Sequence, residues 1–375
     1  MTRSAASTVV VKVGSSSLTT PAGEISSVAL TTLMEQLIAI RERGFRPILV
    51  SSGAIASGRG ALDAANVDAG AARFNSGVAS GNLALDELQA LAAVGQGLLV
   101  ARYADLASSR GAMVGQVLVT PRDFGDRASY LNARATLTRL LAWDVIPVVN
   151  ENDTTATDEI SFGENDRLAA LVATLVHAEL LLILTDTAGV YTADPRLYAE
   201  ASLIEEVAAV DADLEAAAGA SASLLGSGGM ASKVAAAKLA SWGGITTVIA
   251  AASEPDVVAR AAAGEAVGTR VLGRAHPLPA RKLWIAFARP ARGRLTLDAG
   301  AVTALREHGR SLLPVGIASV SGDFRAGEAV EIADPSGAVF AKGLCSLAAA
   351  QLVPGAVRAA GVEAVHRDDL VLLDE

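Results

Sequence analysis

The chain has 375 residues, 51% of them hydrophobic, with a mean hydropathy of +0.40 and a formal net charge of −9. That length allows two domains with sizeable cores, yet no uninterrupted apolar stretch is long enough to span a bilayer, and the first residues do not read as a signal peptide. A lone cysteine, Cys345, excludes an intramolecular disulfide and a cysteine-built zinc site, the four histidines are scattered without ligand spacing, and neither half carries the positive excess of a nucleic-acid binder. The expectation is a soluble, cytoplasmic protein.

Up to residue 262 the pattern alternates strands and helices. Val9-Val10-Val11 forms a strand that runs into Lys12-Val13-Gly14-Ser15-Ser16. A helix follows, capped by Ser26 or Ser27, with the stripe Leu30, Leu33, Met34, Leu37 and Ile38 and a stop at Gly44. Ile48-Leu49-Val50 is the next strand and ends in the turn Ser51-Ser52-Gly53. Residues 61–82 are rich in Ala, Gly and Asn and read as a mobile loop. Helical patterning runs over 86–109, a strand over 112–119, a helix over 129–143 and a strand over 145–149. Asn150-Glu151-Asn152-Asp153 directly follows that strand. Gly163-Glu164-Asn165-Asp166 precedes a helix striped by Leu168, Leu171, Val172, Leu175 and Val176. The strand 180–184 ends at Thr185-Asp186, Gly226-Ser227-Gly228-Gly229 opens a helix holding Lys233 and Lys238, and a strand over 245–250 follows Gly243-Gly244. Continuous apolar strands separated by helices imply an open, mainly parallel α/β sheet covered on both faces. Domain one is expected over 1–262 and a linker over 263–279. After it, short strands over 283–288, 293–297, 327–332 and 339–342 suggest a small β-rich domain at 280–375.

Ligands bind such sheets outside the carboxyl ends of the strands, and Lys12, Ser52, Asn150 and Asp186 all fall there. Lys12 and its Gly-opened turn can cradle phosphate oxygens and neutralise charge on a transferring phosphoryl group. Ser52 can bring a hydroxyl near a carboxylate. Asp153 and Asn165 can anchor an amino group and a carboxylate, while Asp166 can act on a metal or orient catalytic groups. Helix capping competes as an explanation, but it accounts for one residue of the second tetrad and not for both tetrads. Thr185 and Asp186 suggest nucleotide or metal contact. The glycines before Lys233 let the backbone approach phosphate at a helix N-terminus.

These stretches, with Ala92-Ala93-Val94-Gly95-Gln96, Tyr130-Leu131-Asn132-Ala133-Arg134 and the run from Leu184 to Arg196, resemble the amino-acid kinase superfamily and, within it, the bacterial glutamate 5-kinases. The C-terminal part, with Arg281-Lys282-Leu283-Trp284 and Ser311-Leu312-Leu313-Pro314-Val315-Gly316, resembles the PUA domain appended to many of them. The resemblance implies that Lys12 and Lys233 flank the ATP phosphates, that Asp166 organises both lysines, and that Ser52, Asp153 and Asn165 bind L-glutamate. It implies nucleotide contacts from Thr185, Asp186, Ser227, Gly228, Gly229, Met230, Ala231, Ser232 and Lys233. Mg²⁺ is expected mainly through the ATP phosphates, with no protein metal site. Proline as feedback inhibitor and a homo-oligomer, dimer or tetramer, are further implications. Glu164 and Ser227 stand where relatives often carry Asp and Thr. The competing readings are a sister kinase acting on N-acetylglutamate, aspartate, carbamate or UMP, and an RNA-binding role led by the last domain. The balanced charge of 280–375 argues against RNA, although Arg281, Lys282, Arg289, Arg292 and Arg294 form a local basic cluster.

Overall fold

The computed structural model describes residues 7–69, 83–155, 164–220, 229–352 and 362–373. The chain forms two compact units, Met1–Asp123 with Ala128–Pro277, and Phe124–Arg127 with Leu278–Glu375.

The first unit is built on β1 (Thr8–Val13), whose core-facing residues form one apolar row. A short helix, α1 (Ser15–Leu18), leads to α2 (Ser27–Glu42), β2 (Arg46–Ser51), α3 (Ala54–Ala69) and α4 (Leu85–Ser108). Then come β3 (Val114–Val119), α5 (Pro121–Gly125), α6 (Arg127–Ala142), β4 (Ile146–Glu151), α7 (Glu164–Val176) and β5 (Leu180–Thr185). The unit closes with β6 (Glu206–Val207), α8 (Ala212–Ala220), α9 (Met230–Trp242), β7 (Thr246–Ala251), α10 (Val257–Ala262) and β8 (Thr269–Val271). The strands form one eight-stranded sheet in the order β3-β4-β2-β1-β5-β7-β8-β6. Every pairing is parallel except that of β7 with β8. β1 is central, with Val11 opposite Leu49 on one side and Leu182 on the other.

Side chains alternate across a strand, and the alternation decides what reaches the site. Val9, Val11 and Val13 enter a core with Leu30 and Leu37 of α2, Leu99 of α4 and Val258 of α10. Val10 and Lys12 therefore point to the opposite face, where α7 packs on β1 and on α9. Ser26 caps α2 by accepting from the Ala29 N–H at 3.2 Å, and Gly44 ends it at a positive φ of 95°. These are the N-cap and stop expected of such residues.

Two sequence readings change here. Residues 61–69 are the second half of α3 and not loop; 70–82 lie outside the described residues. The first half of α3 packs closely on α4 at two glycines. A Cβ on Gly95 would stand 1.8 Å from the Ala54 carbonyl oxygen, and one on Gly58 would stand 2.0 Å from that of Leu91. The sheet also continues past residue 262, since β8 lies in the stretch read as linker.

In the second unit, residues 283–288 are not a strand: α11 (Ala280–Leu283) runs into a π-helical turn, Trp284–Ala288. A short apolar run cannot be told from a buried helix by periodicity. β9 (Gly293–Leu297), α12 (Ala299–Arg306), β10 (Ile317–Gly322), β11 (Ala329–Ala333), β12 (Val339–Leu344), α13 (Ala349–Leu352) and β13 (Leu370–Leu372) follow. The sheet order is β10-β9-β11-β12-β13, with β9 and β11 parallel. Leu295, Leu297, Phe324, Ile332 and Phe340 fill its core.

Candidate active site

A charged cluster forms where β1, α7 and α9 meet. Lys12 Nζ lies 2.6 Å from Asp166 Oδ1, and Lys233 Nζ lies 3.3 Å from Asp166 Oδ2. Ser232 Oγ stands 2.7 Å from the same Oδ2 and donates to it. Asp166 is fully buried, and Lys12 and Lys233 are only 5% and 8% exposed. Two ammonium groups share one carboxylate, so the cluster holds an excess positive charge away from water. Burial pushes the Lys12 ammonium below its ordinary 10.5; the Lys233 charge adds to that, and Asp166 opposes it. Burial alone would raise Asp166. The two lysines, with hydrogen bonds from Lys12 and Ser232, outweigh it and hold the carboxyl below its ordinary range. Such a cluster suits an anionic ligand.

Beside it runs a chain of neutral groups. Gly53, at φ +107°, makes the tight turn after β2 that leaves Ser52 at the strand end. Asn165 Nδ2 donates to Ser52 Oγ at 2.7 Å and to Asn150 Oδ1 at 3.1 Å. Asn150 Nδ2 donates in turn to Gln96 Oε1 at 2.7 Å. Asn165 Oδ1 is buried and has no hydrogen-bond partner among the described residues. An unpaired buried carbonyl oxygen costs about 1–3 kcal/mol, a cost removed when a donor arrives. Ser52 Oγ, having accepted from Asn165, keeps its own proton to give.

At the end of β5, Thr185 Oγ1 donates to Asp186 Oδ1 at 3.0 Å. Both line a cleft with Ser16, Gly229, Met230 and Lys233. Gly229 is the N-cap of α9 and carries no side chain to cap it, so it leaves the first N–H groups of the helix available for an anion.

The structure thus gathers Lys12, Asp166, Ser232 and Lys233 at one point, Ser52 and Asn165 at a second, and Thr185, Asp186, Gly229 and Met230 along the cleft. Asp153 is half-buried on the turn after β4, and Ala231 is exposed on α9. Ser227 and Gly228 lie outside the described residues. The tetrads sit differently from the reading. Asn150 and Glu151 are the last residues of β4 and not the loop after it, and Asn165 and Asp166 are inside the first turn of α7 and do not cap it. Sequence reasoning placed Asn150 at the ligand-binding edge without a specific role, and gave Gln96 none. The signal was present in Gly95-Gln96, an amide next to a glycine on an apolar helix face.

A sequence model of the Amino acid kinase family matches residues 7–251, and one of the PUA domain matches residues 293–364. The chain belongs to the amino acid kinase family. A solved carbamate kinase from Giardia lamblia, bound to AMP-PNP, shares the fold at TM-score 0.52 and 15% identity, over 72% of this chain and 99% of that one. Within the family the chain stands with the glutamate 5-kinases. It is 45% identical to that of Nitrosospira multiformis over 376 residues and 44% identical to that of Herpetosiphon aurantiacus over 374, each match covering 97% of both chains. The resemblance read from the motifs and the expected fold class are both borne out.

Proposed function

We propose that the protein transfers the γ-phosphoryl group of ATP to the γ-carboxylate of L-glutamate, giving ADP and γ-glutamyl phosphate, the first step of proline biosynthesis. A glutamate oxygen attacks the γ-phosphorus in line, and the bond from that phosphorus to the β–γ bridging oxygen breaks. The attacking carboxylate is already ionised, so no proton need be removed and no general base is required. Catalysis rests on placement and on positive charge around the phosphoryl oxygens. The observation that carries this reading is Asp166 clamped between Lys12 and Lys233, one residue after Asn165, whose amide oxygen is buried without a partner among the described residues. Consecutive helix residues diverge by about 100°, so α7 turns one side chain to the phosphates and the next to the amino acid. Lys12 and Lys233 stabilise the transferring group, and Asp166 holds both in register. Asn165 Oδ1 accepts from the glutamate ammonium, Asp153 supplies a negative charge for the same group, and the Ser52 hydroxyl serves its α-carboxylate. Thr185, Asp186 and residues 227–233 hold the nucleotide.

Mg²⁺ fits as a passenger on the ATP phosphates, where it supplies charge neutralisation. Asp166 already faces two ammonium groups. No described helix is long and apolar enough to cross a membrane, and a cytoplasmic homo-oligomer, dimer or tetramer, is the form we propose. Proline carries an α-carboxylate and a cationic, though secondary, α-amino group, and would compete for the same groups as feedback inhibitor. RNA is not favoured as a partner: Arg281 pairs with Asp369 at 2.6 Å and Arg294 with Glu331 at 3.0 Å, which neutralises part of the basic cluster. The test is incubation with ATP, Mg²⁺ and L-glutamate in hydroxylamine, with aspartate and N-acetylglutamate as controls. Glutamate-dependent γ-glutamyl hydroxamate is expected. Product from a control alone would move the activity to a sister kinase.

A further inference from the structure

We infer that Gln96 is a positioning residue that sets the polarity of the amide chain and so the preference for a substrate bearing a cationic amino group. Helix α4 buries Leu91, Ala92, Gly95, Gln96, Leu99 and Tyr103. Tyr103 OH meets Ser51 Oγ at 2.9 Å at the end of β2, and Gln96 meets Asn150 at the end of β4. An amide can turn over, exchanging its oxygen for its NH₂, and its neighbours decide which way it stands. The Glu151 N–H can only donate, and it donates to Asn150 Oδ1 at 2.9 Å. That leaves Asn150 Nδ2 facing Gln96, whose oxygen accepts it. Asn150 Oδ1 also accepts from Asn165 Nδ2. The Asn165 oxygen is thereby turned away from Asn150 as the unpaired acceptor. If Gln96 offers no acceptor, Asn150 Nδ2 is stranded, and only the Glu151 N–H opposes a turning over of both asparagines. Asn165 would then present NH₂ where the ammonium must dock.

This inference rests on the proposed glutamate kinase activity and is tested with the full chain by measuring kcat and KM for glutamate and ATP. Inhibition by glutarate, which has both carboxylates of glutamate but no amino group, is measured alongside. Gln96→Met removes the acceptor at nearly constant shape, and Gln96→Glu keeps it. Expected for Gln96→Met is a rise of about tenfold or more in KM for glutamate, with KM for ATP and glutarate inhibition near wild type. Gln96→Glu should restore KM for glutamate to within about threefold of wild type. An unchanged KM for glutamate in Gln96→Met, or a parallel weakening of glutarate and ATP, overturns the inference and leaves the activity standing. Should Gln96→Met not fold, Gln96→Glu still decides, because a rise of about tenfold there is equally fatal. A wild-type protein silent with glutamate removes the functional reading, and this inference with it.

Discussion

Asn165 and Asp166 are neighbours on one turn of α7, yet they anchor two networks of opposite kind. The Asp166 side is charged, with two ammonium groups on one buried carboxylate. The Asn165 side is neutral, a row of amides and a hydroxyl reaching from Ser52 to Gln96. Charge suits a phosphoryl group, whose own charge shifts during transfer and is spread over several oxygens. Dipoles suit an amino acid, because an amide tells donor from acceptor and a bare charge does not. The two networks should therefore fail differently, the first in turnover and the second in KM.

The largest effect is expected from Asp166→Asn, which leaves Lys12 and Lys233 buried without a counter-charge. Breaking a buried pair in this way costs about 3–5 kcal/mol, so thermal unfolding should shift well downward and hydroxamate formation should be lost. Lys12→Ala and Lys233→Ala come next. Each should lower kcat by about 10²–10³-fold while the circular dichroism spectrum stays native; near-wild-type rates in both would remove the phosphate role. The charged network also carries a pH signature. Lys12 titrates below 10.5 because it is buried, so kcat/KM should fall on an alkaline limb lying below that pH. Lys12→Arg, whose guanidinium stays charged, should abolish the limb in whatever activity it retains. Stability has its own sign. Between the lowered Lys12 value and 10.5 the unfolded chain binds more protons, so this group's contribution rises with pH. The Asp166 contribution is complete above the ordinary aspartate value and is lost as pH falls through its depressed one.

On the neutral side, Ser52→Ala and Asn165→Ala should raise KM for glutamate by about 5–100-fold, from one lost buried hydrogen bond, and leave KM for ATP within about twofold. A matched fall in kcat would erase the proposed division of labour. The smallest effect sets the baseline. Arg41 Nε pairs with Asp144 at 3.0 Å on the surface, and Arg41→Ala should change stability by less than about 1 kcal/mol and neither kinetic constant.

Much of this was legible in the residues. The strands around Val10, Leu49, Val148 and Ile183 announce themselves as apolar runs, and Ser26 and Gly44 mark both ends of α2. Lys12 is legible as the one charge in such a run, although its facing follows only from alternation against Val11 and Val13. The meeting of Asp166 with Lys233, 67 residues later, needs the packing of α7 on α9, which no local pattern contains. Gln96 was hidden for a related reason: a buried amide on a helix shows no period of its own, and its partner lies 54 residues away. The second unit was read less well. The run 283–288 is apolar and aromatic throughout, which a strand and a tightly packed helical turn satisfy equally.

The close approach of α3 and α4 has a bearing on how the gene tolerates change. Gly95 and Gly97 are separated by one residue and look alike in the sequence. A Cβ at 97 meets nothing within 4 Å, whereas at 95 it meets the Ala54 oxygen and the Gly58 nitrogen at 1.8 and 2.3 Å. In a saturation library grown where survival depends on this enzyme, every codon at 95 but glycine should vanish, and 97 should drift freely. The lost alleles would owe their lethality to a shifted helix that carries Gln96 out of reach of its asparagine, a binding defect inherited from a position that never meets the substrate.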